Sequence, residues 1–209
     1  MTTVKLLPHE RRETYVGAAI LIFMILTRSH HFGAALKVIL TGSNHFGSYL
    51  SLPDASWSMF FLAGLWTRAL VWPVLMMIAA LVVDYLVIAG GVSSYCFTPG
   101  YAFLIPTHIA LWGAGRWAAF DVSFKTSQLV RTGLALVIGC SAAFVISNAG
   151  FYWFSGYFTN TSAFSFADAV IQYFPSYLKV SGLYIAAAFA AWYVRGVIHN
   201  ALQSQRQRH

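Results

Sequence analysis

Two cysteines, six acidic residues and seven histidines are all that the chain offers for thiol, carboxylate and imidazole chemistry. Cys96 stands in Gly90-Gly91-Val92-Ser93-Ser94-Tyr95-Cys96-Phe97-Thr98-Pro99. Thr98-Pro99 reads as an N-cap followed by a first helical residue, which sets the thiol just upstream of the positive end of a helix dipole. Such a place favours the thiolate, and so metal ligation or nucleophilic attack. The paired glycines let the backbone come close to a bulky ligand. The competing reading is a small apolar filler in a loop, because free cysteines are commonly buried and inert. Cys140 falls midway along an apolar run and reads as a packing residue, too deep to bridge a loop cysteine. Two cysteines without Cys-x-x-Cys spacing argue against zinc and iron–sulfur sites.

Asp84 is the one acidic residue inside an apolar segment. Ionisable groups there face a cavity or a partner and are functional candidates, although Asp84 lies near enough to the segment end to stay solvated instead. His30 and His31 are adjacent, point in different directions and make a poor metal pair alone. His108 sits mid-segment, where it could hydrogen-bond across helices; haem is disfavoured because no facing segment carries a second central histidine. Asp54 or Ser56 reads as the cap of a helix that starts near Trp57. No phosphate-binding loop, Ser-His-Asp set or His-Glu-x-x-His site is present, so ATP hydrolysis by this chain is not expected.

The elements that carry these residues follow from composition. Of 209 residues, 58% are hydrophobic and 9% charged, against about 25% charged in soluble domains. The outer surface must therefore be solvated by lipid, and the class is an all-α membrane protein in a single integral domain over residues 1–209. Six apolar segments can be drawn, at 15–27, 57–66, 71–89, 100–117, 129–151 and 177–194. A full span takes about 20 residues, so the first two must tilt or borrow neighbours. Residues 32–40 could add a short interfacial helix. The first segment reads as a retained span, since Thr27-Arg28-Ser29-His30 is no signal-peptidase site.

Six spans put both termini on one side. Lys5, Arg11, Arg12, Arg68, Arg116, Lys125, Arg131, Arg195, Arg206 and Arg208 then share one face, while Arg28, Lys37 and Lys179 share the other. The basic face is cytoplasmic by the positive-inside rule. This placement, rather than a basic stripe, accounts for the formal charge of +7, and nucleic-acid binding is excluded as a function. His30, His31, His45, Asp54 and Cys96 fall outside, with Asp84 in the last turns of the third span. Any solute site is expected on that outer side.

With these residues laid out, the chain resembles the BtuM family of bacterial cobalamin transporters, relatives of the substrate-binding S-components of energy-coupling-factor (ECF) transporters. The likeness rests on Thr27-Arg28-Ser29-His30-His31-Phe32-Gly33, Leu52-Pro53-Asp54-Ala55-Ser56-Trp57 and the loop from Gly90 to Pro99. Tyr101-Ala102-Phe103-Leu104-Ile105-Pro106 and Leu111-Trp112-Gly113-Ala114-Gly115-Arg116-Trp117 extend it. It covers roughly residues 15–120 and fades in the last two spans. The resemblance implies a six-transmembrane-helix bundle of ECF S-component type in the bacterial inner membrane, with a vitamin B12 pocket open to the periplasm. It implies that Cys96 is an axial ligand to the corrin cobalt, a pairing that suits a soft thiolate. Removal of cyanide from cyanocobalamin is associated with that thiol, so Cys96 is also the one candidate catalytic residue in what is primarily a transporter. Tyr95, Tyr101, Asp84, Ser93, His30 and His31 complete the implied substrate contacts. Cobalamin is the bound substrate, and no cofactor of the protein's own is implied.

One departure concerns partners. Many S-components dock their energising module through an Ala-x-x-x-Ala face on the first helix, whereas here Ala18 and Ala19 are followed four residues later by Ile22 and Phe23. This puts the shared module in doubt and favours a solitary transporter. Gly182, Ala186 and Ala190 form a small-residue row in the sixth segment that reads as internal helix packing. Residues 37–49 are longer than the resemblance leads one to expect. Two readings from other classes stay open: a membrane thiol or redox enzyme acting on a periplasmic substrate, and a structural subunit in which Cys96 only packs.

Overall fold

The computed structural model describes residues 8–28, 52–90, 93–119, 126–159 and 162–206. Expectations for His30, His31, His45, residues 32–40, residues 37–49 and the Gly91 half of the glycine pair lie outside the described residues. Seven α-helices appear among those described: α1 Pro8–Arg28, α2 Ser56–Trp66, α3 Val71–Ala89, α4 Leu104–Ala118, α5 Thr126–Phe154, α6 Ala163–Val170 and α7 Phe174–Arg206. A 3-10 turn, Pro99–Phe103, leads into α4, and another, Ile171–Tyr173, joins α6 to α7. No β-strand occurs among the described residues.

The shortest of the expected spans forms the centre. Eleven residues of α2 extend only about 16 Å, yet Ser56 and every residue from Ser58 to Leu65 are buried. Its sequence, Ser-Trp-Ser-Met-Phe-Phe-Leu-Ala-Gly-Leu-Trp, is apolar on all sides, which is the pattern of a helix enclosed by others. Helices α1, α3, α4, α5 and α7 all pack against it. The tightest crossing is with α4. A Cβ on Gly64 would collide with the Trp112 carbonyl oxygen, and one on Gly115 with that of Phe61. Two glycines therefore let two backbones touch, the association that works where lipid leaves no hydrophobic force between helices.

Three runs are long and apolar enough to cross a membrane: α3, α5 and the helical stretch Ala163–Ile198. Their outward faces carry exposed large hydrophobes, including Val74, Ile78, Leu81, Leu134, Ile138 and Leu183. Bands of this size on a folded chain require a lipid or protein cover. The chain is thus an all-helical protein with the outer surface of a membrane protein. The charges segregate: Arg12, Arg68, Arg116 and Arg195 meet at one end of the bundle, and Arg28, Asp54 and Asp84 at the other.

Several expectations change in detail. The fourth segment begins as a 3-10 turn, and the stretch expected to be a plain outer connection contains α6. Ser162 caps α6 by accepting from the Ser165 N–H at 3.1 Å, and Phe166 packs on Tyr152 and Trp153. The small-residue row on α7 does not pack: Ala186 and Ala190 are exposed, and a Cβ on Gly182 would meet nothing. Small residues bring helices together only where a second helix is present to approach, and α7 lies at the periphery.

Candidate functional site

Arg28 ends α1, and Asp84 lies one and a half turns before the end of α3. Because α2 returns the chain between them, both reach the same end of the bundle. The Arg28 Nε donates to Asp84 Oδ1 at 2.9 Å and Nη2 donates to Oδ2 at 2.7 Å, a two-pronged pair. Nη1 donates to Ser56 Oγ at 2.9 Å and lies 3.7 Å from Asp54 Oδ2. The side chain of Arg28 is 8% exposed and that of Asp84 24%. Charge-assisted, bidentate contacts of this kind offset the cost of desolvating both groups, and loss of one partner leaves the other stranded.

Local capping positions this network. Asp54 Oδ1 accepts from the Ser56 N–H at 2.9 Å and from Ser56 Oγ at 2.6 Å. Ala55 is the N-cap residue of α2, so Asp54 supports the helix start from one position earlier. The Ala55 N–H donates to Thr27 Oγ1 at 3.3 Å, which ties the start of α2 to the end of α1.

Tyr101, in the 3-10 turn, donates its hydroxyl to Asp84 Oδ2. The turn sits directly on α5, for a Cβ on Gly100 would strike the Gly150 backbone and one on Gly150 would strike the Phe103 ring. With Arg28 and Tyr101 both engaged, the two Asp84 oxygens are occupied from within the chain. Asp84 and Tyr101, expected as substrate contacts, are brought together as each other's partners.

Cys96 is free and exposed on the loop before this turn. The loop is folded on itself: Ser93 Oγ accepts from the Tyr95 N–H at 3.3 Å, the Phe97 N–H donates to the Ser94 carbonyl at 2.8 Å, and the Thr98 N–H donates to the Cys96 carbonyl at 3.1 Å. Aromatic rings hold both flanks. Tyr95 stacks on Tyr157 with centroids 4.4 Å apart and planes 12° from parallel, and the Tyr157 hydroxyl donates to the Tyr95 carbonyl at 3.2 Å. Phe97 lies against Tyr101 at 4.7 Å. The loop is therefore braced to the segment after α5 on one side and to the Asp84 network on the other. Thr98 has the extended backbone of a cap and Pro99 the first helical place. The Thr98 hydroxyl, however, caps nothing and has no partner among the described residues.

Tyr177, on α7, packs on Trp57 at 4.7 Å and on Phe144 at 5.5 Å. Arg28, Tyr157 and Tyr177 thus join the site without having been singled out as site residues in the sequence, and Ser56, read there as a possible cap, accepts from Arg28. Arg28 had a readable signal, being a basic residue at the end of an apolar run that could neutralise Asp84. The other three are common residues whose role depends on long-range packing.

His108 is buried, but it does not make the cross-helix hydrogen bond expected of it. Its ring stacks on Phe60, 4.0 Å away and 10° from parallel, and its Nδ1 has no partner among the described residues. Cys140 is buried in the core and free, as expected of a packing residue. Among the described residues no three His, Cys, Asp or Glu side chains come together in a metal-holding group.

No protein-family model matches the chain, and no curated protein matches it in sequence.

Proposed function

We propose that this protein binds cobalamin at the end of the bundle that carries Cys96 and takes it up across the bacterial inner membrane. The observation that carries the reading is the exposed Cys96 thiol between Tyr95 and Phe97, each ring fixed by a second aromatic residue. A corrin is a broad, largely apolar macrocycle edged with amides. It needs flat apolar faces, a few polar groups and an axial donor, and this loop offers all three. A lone cysteine can complete a metal site only where the other ligands are already supplied, as they are for a cobalt held by four ring nitrogens. Soft thiolate is a fitting ligand there.

Where the upper ligand is cyanide, a balanced exchange requires no added reductant. The thiolate gives an electron pair to cobalt, cyanide departs with the pair of the cobalt–carbon bond, and the oxidation state of cobalt is unchanged. In this reading the helices adopt the six-span S-component arrangement with both termini cytoplasmic, and α2, enclosed by its neighbours, serves as a half-length central span. Ile22 and Phe23, where an Ala-x-x-x-Ala face would need small residues, are exposed and favour work without a shared energising module.

The test is optical. Purified protein mixed with cyanocobalamin or hydroxocobalamin should show a visible spectrum altered by sulfur ligation, and Cys96→Ala should lose that change. Identical spectra for the two proteins would exclude the cobalt–sulfur bond. Thiol-dependent turnover of substrates that lack a corrin would instead mark a membrane thiol enzyme.

A further inference from the structure

At the opposite end from Cys96, α1 and α7 stand apart over α2 and leave a groove of about 920 Å³. Val16, Ala19 and Ile20 form one wall, Ala187, Ala188 and Ala191 the other, and Met59, Leu62 and Leu65 the floor. At the mouth stand Arg12, Arg68, Arg116 and Arg195, with Glu13 the one acidic residue among the described lining. Glu13 is already engaged, since its Oε1 accepts from the N–H groups of Arg68 and Ala69 at 2.6 and 2.7 Å. Arg116 Nη1 donates to the Gly64 and Thr67 carbonyls at 3.4 and 3.3 Å. Arg12, Arg68 and Arg195 make no ion pair among the described residues.

The length of the groove identifies its occupant. Inward from the arginines it is closed by Phe23 of α1 and Tyr184 of α7, whose rings meet edge to face at 5.8 Å. From Arg12 to Phe23, and again from Tyr184 to Arg195, is eleven residues, or about 16 Å of helix. That is half of the ~30 Å hydrocarbon core, the depth of one leaflet. A transmembrane helix from a partner would need a groove of full depth. A soluble anion would leave the apolar walls uncovered.

We propose that this groove holds one phospholipid with an anionic headgroup, its acyl chains along α1, α2 and α7 and its phosphate among Arg12, Arg68, Arg116 and Arg195. Basic pockets between membrane helices select such headgroups, with about a fivefold gain in affinity for each basic group. The proposal is independent of any role for Cys96.

The full-length protein, stripped of lipid in mild detergent, would be titrated separately with phosphatidylglycerol and with phosphatidylcholine of the same acyl chains, and bound lipid counted by native mass spectrometry. One phosphatidylglycerol per chain is expected, held at least tenfold more tightly than phosphatidylcholine. Arg68→Gln and Arg195→Gln should each weaken it about fivefold and leave phosphatidylcholine unaffected. Arg11→Gln, exposed on α1 and outside the groove, should change nothing. Ala191→Trp should displace the lipid by filling the apolar wall with every arginine intact. Equal retention of the two lipids, or equal losses from Arg11→Gln and Arg68→Gln, would overturn the proposal.

Discussion

Arg28 and Asp84, 56 positions apart, close on each other through two hydrogen bonds at the end of the bundle where the chain also presents its one exposed cysteine. The pair fastens α1 to α3, reaches the start of α2 through Ser56, and receives the Tyr101 hydroxyl from the turn that follows the Cys96 loop.

Removing one charge should therefore cost far more than removing both. Asp84→Ala leaves a nearly buried guanidinium with only the Ser56 hydrogen bond and the longer 3.7 Å approach to Asp54, and is expected to destabilise the fold by about 3 kcal/mol, the lower end of the range for broken buried pairs. Arg28→Met combined with Asp84→Leu should recover most of that loss. Thermal unfolding of the four proteins of this cycle in one detergent gives the coupling directly; additive single effects would mean that the pair is not desolvated.

The Tyr101 hydroxyl can be separated from its ring. Tyr101→Phe keeps the packing on Phe97 and removes a hydrogen bond to a charged group, at an expected cost of about 1.5–3 kcal/mol. If Tyr101 braces the Cys96 loop from the Asp84 network, amide exchange in residues 94–98 should quicken in Tyr101→Phe. Unchanged exchange would show that the stacking of Tyr95 on Tyr157 holds the loop unaided.

Glycines on different helices should differ sharply in tolerance. Gly115→Leu forces a side chain into the backbone of α2 and is expected to cost more than about 4 kcal/mol, the range reserved for severe core disruption. Gly182→Leu enters open space on α7 and should stay within about 0.5 kcal/mol of the parent. Folded yield and melting temperature would read the contrast.

The two thiols should be told apart by reagent access. A membrane-impermeant maleimide is expected to label Cys96 in the folded protein and to leave Cys140 unmodified until denaturant is added. Labelling of Cys96 from one side only of sealed membrane vesicles of known orientation would establish the sidedness that the arginine and lysine placement predicts. Protection of Cys96 by added cobalamin would connect access to the proposed ligand.

Residues 71–89 are legible as a helix from first to last, because the run is apolar apart from Asp84, follows the break at Thr67-Arg68 and ends at paired glycines. Segments 129–151 and 177–194 were recognised as helices, but their helices extend to Thr126–Phe154 and Phe174–Arg206. Polar helical turns beyond an apolar run carry no hydropathy signal. The α6 helix does not stand out in the sequence because its eight residues, though mostly apolar, are too few to mark a span and lie in a stretch that otherwise reads as a connection. At the site, Cys96 and Asp84 stand out by type and neighbourhood, and Tyr101 enters only through the family resemblance. Their arrangement does not: that Asp84 meets Arg28 and Tyr101 follows only from how α1, α3 and the 3-10 turn come together.

By itself the sequence determined that this chain is helical, that its surface is solvated by lipid, and that its basic groups sit between or beyond the apolar runs. Those properties depend on composition and on order along the chain. Only the tertiary structure decided that α2 is the centre, that Arg28 neutralises Asp84, and that the row of Gly182, Ala186 and Ala190 faces outward. Each depends on which helices come close, and that choice rests on contacts such as Gly64 on Trp112 and Gly115 on Phe61, whose partners are some fifty residues apart and leave no periodic mark. Cys96 belongs to both accounts: its residue type proposed the chemistry, and the rings of Tyr157 and Tyr101 gave its loop a fixed place.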